Sequence, residues 1–346
     1  MLTPVKQQLR HNFGPFVQGM GYATGMMQLM AHIRQEEGAI ILMYHSVADD
    51  KSAQWIDPAN HNPADVFARQ MEFLSNKRKV VALDELVAEL KQGKTPPAGT
   101  MAITFDDGYL DNLTVAAPIL DYYQLPATLF LPTGYIDRGE SQWVDQAYCA
   151  FKFRSESALS WRAKAAIIFD LDDPAQHQTG YRVVCKELLQ AGVVQRHELL
   201  DKLNEQLQPS ALPPRLTMNW DEMRTLLSKH RCFQIGGHTL EHTDLSGVSE
   251  EQAQKELTAC AQRIEEELGQ RPRHFSFCYG RTSASLRRLA AAAGFEAACG
   301  GEGVDPVIKA PADLFRLPRV AVPASMGRFD LLTSSANTGI WRRLGR

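Results

Sequence analysis

Two aspartates, Asp106 and Asp107, stand side by side after the run Thr100-Met101-Ala102-Ile103-Thr104-Phe105 and immediately before Gly108. The run is short, apolar and β-prone, so it reads as a buried strand that the glycine ends. Adjacent carboxylates repel, and burying them unpaired costs several kcal/mol. A fold that keeps them must bring them to a strand end, where α/β proteins collect their reactive groups, and must supply positive charge. Downstream, Gly237-His238-Thr239-Leu240-Glu241-His242 offers two imidazoles four residues apart. An aspartate with His-x-x-x-His makes a three-ligand metal set that leaves one position open for water. The ligand types suit zinc, and nickel or cobalt would also fit.

The rest of the chain supports a parallel α/β architecture. Ala39-Ile40-Ile41-Leu42-Met43-Tyr44 is a continuous apolar run ending at His45, a first buried strand. Residues 65–74 carry a helical pattern, 80–83 a strand, and 84–90 a helix opened by an acidic cap. Residues 111–123 read as helix and 127–131 as strand. Residues 132–218 interrupt this alternation with helical pieces at 182–189 and 197–207, and read as an inserted, mainly helical cap on the catalytic face. The alternation then resumes. A helix at 220–227 precedes a strand at 232–235 aimed at His238. Ser249 to Gln252 forms a capping box, and its helix buries Ala253, Leu257, Cys260, Ile264 and Leu268. Strands at 275–278, 296–299 and 317–322 complete the set. The expected organisation is an N-terminal helical segment (residues 1–38), a barrel (residues 39–335, insertion 132–218) and a basic tail (residues 336–346).

Composition narrows the function classes. With 346 residues and 44% hydrophobic content, one large α/β barrel with an insertion is affordable. A net charge of -3 gives no footprint for nucleic acid. The six cysteines show no C-x-x-C spacing, so neither a zinc ribbon nor a disulfide framework is expected. Residues 12–33 contain no Asp, Glu, Lys or Arg, but are broken by Gly14, Pro15, Gly19, Gly21 and Gly25. That argues against a signal peptide or membrane span and for a Met-rich helix, Met20 to Ile33, lying on the domain or on a membrane surface. The expectation is a cytoplasmic protein with peripheral membrane contact; the sequence leaves its oligomeric state open.

The motifs resemble those of the polysaccharide deacetylase family, carbohydrate esterases of family 4 that share a NodB-type domain. Its T-F-D-D-G motif stands here as Thr104 to Gly108. H-[ST]-x-x-H stands as His238 to His242, followed by Asp244-Leu245-Ser246. Y-P-Y-G stands in altered form as Phe277-Cys278-Tyr279-Gly280. The resemblance runs from about Ile40 to Val322 and implies a distorted, incomplete (β/α) barrel of roughly seven strands. It further implies Asp107, His238 and His242 as metal ligands, Asp106 as general base, and the Tyr279 N–H as oxyanion donor. The family's late L-x-x-H histidine is missing, since no histidine follows His274. Permuted relatives, similar to biofilm poly-N-acetylglucosamine deacetylases, carry it on the first strand in a Tyr-His context. Tyr44-His45 matches that pattern and makes His45 the implied general acid. Ser276 stands where the family commonly has an arginine, so no arginine tether for Asp106 is expected.

The activity implied is metal-dependent hydrolysis of an N-acetyl group on an amino sugar. Trp143 and Arg281 are candidate sugar contacts, with Asp57, Asp137 and Arg319 as further pocket candidates. Two other readings stay open at this point. One is an amidohydrolase acting on a small amide or formamide. The other is a catalytically silent saccharide-binding relative, against which the presence of Asp106 argues, because binding alone needs no base.

Overall fold

The computed structural model describes residues 36–162, 166–301 and 304–334. The N-terminal helix expected at Met20–Ile33 and the basic tail expected at 336–346 lie outside them. Twelve strands are present among the described residues: β1 (Ala39–Tyr44), β2 (Ser46–Ala48), β3 (His61–Pro63), β4 (Lys79–Val80), β5 (Thr100–Asp106), β6 (Ala127–Leu131), β7 (Ala158–Arg162), β8 (Ala166–Asp170), β9 (Phe233–Gly237), β10 (His274–Ser276), β11 (Ala297–Cys299) and β12 (Arg319–Ala321). Seven form a parallel sheet in the order β11-β10-β9-β6-β5-β1-β12, with β4 added beside β5. A further parallel bridge from Cys299 to Leu317 brings the two ends together, so the sheet is a nearly closed barrel.

The period-2 pleat decides which side chains enter the barrel. On β1 and β5, Ile40, Leu42, Tyr44, Ile103 and Phe105 pack outward against the helices Ala64–Lys77, Ala117–Tyr123 and Trp220–Lys229. Their neighbours Ala39, Ile41 and Ala102 join Phe130 and Cys299 in a separate cluster. That inner cluster is closed from below by Leu83, Leu86, Val87 and Leu90 of the helix Leu83–Lys91. Thr104 and Asp106 share the parity of Ala102, so both face inward. His45 shares that of Ile41 and Met43. The helix near residue 84 starts at Leu83 with no side-chain cap. Asp84, expected as its acidic cap, instead accepts from Arg273 (2.8 Å) and lies 2.5 Å from the His274 ring.

Residues 132–218 hold four helices, Thr133–Arg138, Trp143–Lys152, Pro174–Gln190 and Val193–Leu207, with a core of their own around Trp143, Phe151, Trp161, Phe169 and Leu203. They also hold an antiparallel hairpin, β7–β8, which the expected, mainly helical cap did not include. One face of the hairpin, with Leu159, Trp161 and Phe169, is buried, and Ile167 and Ile168 are exposed. Asp145 is a buried junction: its carboxylate accepts from the Tyr109 hydroxyl (2.7 Å) and the Asp57 N–H (2.8 Å). Burial pushes its carboxyl up to about 7. Among the described residues, no helix is long and apolar enough to cross a membrane.

Candidate metal and catalytic site

Strand register brings the motifs together. Asp106 pairs with Phe130 of β6, and Leu131 pairs with Gly237 of β9, so Asp106, Asp107 and His238 all emerge at the same rim. Asp107 (φ 72°) and Gly108 (φ 66°) are both left-handed, which turns the chain sharply and keeps Asp107 facing the site. His242 (φ 51°) and Tyr279 (φ 60°) adopt the same region. Each such non-glycine residue costs on the order of 1–3 kcal/mol, and strain of this kind gathers at functional sites.

Asp106 and Asp107 are 2% and 3% exposed, His238 and His242 2% and 9%. Nε2 of His242 lies 3.2 Å from Asp107 Oδ1, and Nε2 of His238 lies 3.8 Å from the same atom. Ligands about 2.0–2.1 Å from a tetrahedral ion sit about 3.3 Å apart, so the spacing suits a divalent cation. Asp107 Oδ1 is buried and makes no hydrogen bond, as expected of an atom reserved for a ligand. Both rings are oriented from behind: His238 Nδ1 is 2.7 Å from the Ser276 carbonyl, and His242 Nδ1 is 3.1 Å from the Tyr279 hydroxyl. Such outer hydrogen bonds direct Nε2 at a metal. The donor set therefore fits the group the sequence implied.

Cys278 adds a complication. Its sulfur and one ring nitrogen of each histidine lie within 4.8 Å of one another, a second possible ligand set. However, Sγ is also directed at the His238 carbonyl (3.5 Å) and the Thr239 hydroxyl (3.6 Å). Asp107, with its unbonded carboxylate oxygen, and Cys278 are alternative third ligands beside the two histidines. Burial alone would raise the Cys278 thiol, but the two imidazoles bring it down to about 6. Burial alone would likewise depress both histidines. Cys278 and Asp106 outweigh it at His238, and Cys278, Tyr279 and Asp107 lift His242 well above its ordinary value.

Asp106 does have an arginine partner. Arg319, level with Ile41 and Ala102 on the strand ladder, reaches through the barrel interior and grips both carboxylate oxygens, at 2.7 and 2.5 Å. Its guanidinium also donates to Ser276 Oγ (2.6 Å) and Thr104 Oγ1 (3.2 Å), with the Phe130 ring 5.4 Å away. The tether that Ser276 gave no reason to expect is thus supplied from β12, and Ser276 is one of its supports. Burial would raise the Asp106 carboxyl, but Arg319 and His238 hold it below the usual range. We expect Arg319→Met to let that carboxyl rise, so that the ionised base appears only at higher pH. The acid limb of the kcat–pH profile should move up by roughly one unit or more; an unchanged limb would show that the pair does not set the base.

Asp106, Asp107, His238, His242 and Arg319 line a cleft of about 530 Å³ with His45, Trp143 and Tyr279 among its other walls. The volume is ordinary for a small-molecule site. Of the other candidates, Trp143 lines the cleft, whereas Asp57, Asp137 and Arg281 are engaged elsewhere. Asp57 accepts from the Tyr181 hydroxyl. Asp137 accepts from Trp220 and Arg263, and Arg281 pairs with Asp244. Burial lowers the His45 imidazole, against the pull of Asp107 and Asp106, so it rests neutral at ordinary pH.

A family model for polysaccharide deacetylases matches residues 93–160 and 163–298, more than half of the chain. The chain belongs to the polysaccharide deacetylase family. Over 92 residues it is 36% identical to a protein of Bacillus subtilis (strain 168) provisionally named polysaccharide deacetylase YxkH. That segment covers 26% of this chain and spans only 30% of the relative's length. The fold is similar to that of the Streptococcus pyogenes deacetylase PplD in complex with acetate (17% identity, TM-score 0.55, 86% of this chain and 98% of that one). It is also similar to IcaB from Ammonifex degensii (16% identity, TM-score 0.56, 87% and 99%) and a de-N-acetylase from Aggregatibacter actinomycetemcomitans (16%, 0.55, 86% and 99%).

Proposed function

We propose that the protein hydrolyses the N-acetyl group of an amino sugar within a saccharide or glycan precursor, releasing acetate and a free amine. The observation that carries this reading is the unbonded Asp107 oxygen facing two imidazoles held from behind, beside a second carboxylate locked by an arginine. Asp107, His238 and His242 would hold one divalent cation, zinc by ligand type. When bound, such a cation polarises the carbonyl and makes a water easier to deprotonate.

The remaining roles fall to the chain. Asp106, kept ionised by Arg319, takes the proton from the attacking water. The Tyr279 N–H, on a left-handed residue at the cleft wall, stabilises negative charge on the carbonyl oxygen. Collapse then needs a proton on the departing nitrogen. His45 rests neutral, so it must receive that proton during turnover, and Asp106, which has just collected one, lines the same cleft. Trp143 offers an aromatic face to the sugar ring. The deciding experiment is acetate release from N-acetylated oligosaccharides, nucleotide sugars and lipid-linked glycans, before and after chelation and metal re-addition. No release from any of them by metal-loaded protein would sink the proposal.

His45→Ala isolates the acid step. The expected loss in kcat on the amide is roughly 10²–10⁴, with metal content unchanged. An activated acetate ester, whose leaving group needs little protonation, should lose far less. Equal losses on both substrates would exclude His45 as the proton donor.

A further inference from the structure

His45 lies at the point where the chain leaves the barrel. β1 ends at Tyr44 and pairs with β5 and β12; β2 begins at Ser46 and pairs with β3 in a different sheet. His45 belongs to neither ladder. The segment that holds it follows the aspartate pair. Asn112 Nδ2 donates to the His45 carbonyl (2.8 Å). Asp111 accepts the Val47 N–H at Oδ1 (2.9 Å) and the Ser46 hydroxyl at Oδ2 (2.6 Å). A bond of 3.0 Å from Asn112 Nδ2 to Asp111 Oδ1 joins the two clamps. Ser46 and Asn112 are fully buried and Asp111 is 9% exposed.

We propose that Asp111 and Asn112 are positioning residues for His45. They fix the backbone on both sides of the histidine, so its ring is presented to the cleft floor and not carried off with β2. Three further features support this. Asn112 opens a π-helical turn, Asn112–Ala116, a distortion found mostly at functional sites. A carboxylate buried beside three donors is a costly way merely to anchor a three-residue strand, and burial does push Asp111 up to about 6. Finally, one stretch of seven residues, Asp106 to Asn112, then carries base, metal ligand and clamp, so His45 moves with the loop that holds the reacting groups. An error near 1 Å in such a group can cost about 10²-fold in rate, which is what a clamp of this kind prevents.

This inference rests on the proposed function and is tested alongside it. Asn112→Ala, Ser46→Ala and His45→Ala are compared with wild type in the full-length, metal-loaded protein. The substrates are an N-acetylglucosamine oligosaccharide and an aryl acetate ester. Asn112→Ala should lower kcat on the amide roughly 10–100-fold, leave KM and metal content within about 3-fold of wild type, and spare the ester. Added to His45→Ala, it should cost nothing more, because both changes act through one group. Ser46→Ala removes a single hydroxyl and should give a smaller loss with the same amide selectivity, so the idea stays testable if Asn112→Ala fails to fold. Equal losses on both substrates, or a full multiplicative loss in the double variant, would overturn it. An active wild type with an amide-selective His45→Ala but no selectivity in the clamp variants would remove this inference alone. A wild type that releases no acetate would remove both.

Discussion

Alanine at Asp107 is expected to strip the protein of its divalent cation and to abolish measurable acetate release. Changing a residue that only orients a ligand typically costs about 10–100-fold in affinity or activity, and loss of a charged ligand should exceed that. Elemental analysis and turnover, measured together, check it; full metal content in the variant would refute the ligand assignment. Cys278→Ser is the control that separates the two possible ligand sets, and it should keep the metal. The protonation of the site gives a second handle. The neighbouring groups raise both His238 and His242, and protons on these rings compete directly with a cation. Metal should therefore be taken up with release of protons at neutral pH and shed as the pH falls through the acid range.

The strand bearing the aspartate pair was legible because its apolar run is uninterrupted and every residue of β5 is buried. The inward parity of His45 with Ile41 and Met43 was available from the pleat alone, and resemblance pointed to the same residue. The Arg319 tether was not legible. The arginine arrives from 213 residues downstream, on a strand only three residues long, and no local pattern announces that its side chain will cross a barrel. Ser276 suggested that the tether was gone, when only its point of origin had moved. The β7–β8 hairpin was missed because its strands are short and its second strand exposes Ile167 and Ile168, which blurs the alternation. Asp57 and Asp137 looked free in sequence because their partners, Tyr181 and Trp220, lie 124 and 83 residues away.

Asparagine at Asp106 is expected to keep the metal and lose the base. The amide cannot accept a proton from water, so kcat should fall roughly 10²–10⁴-fold with metal content near wild type. The Arg319 geometry adds a second consequence. Asparagine offers one oxygen where the guanidinium now grips two, and it brings no charge, so Arg319 would be left buried and unpaired. Breaking one half of a buried ion pair costs about 3–5 kcal/mol, and the thermal midpoint should drop with the activity. Those two effects can be separated. Asp106→Asn combined with Arg319→Met removes the stranded charge, and the methionine can pack against Phe130 within the barrel. The double variant should recover much of the lost stability and none of the activity. If turnover returns together with stability, Asp106 serves only to neutralise Arg319, and another group must take the proton from water.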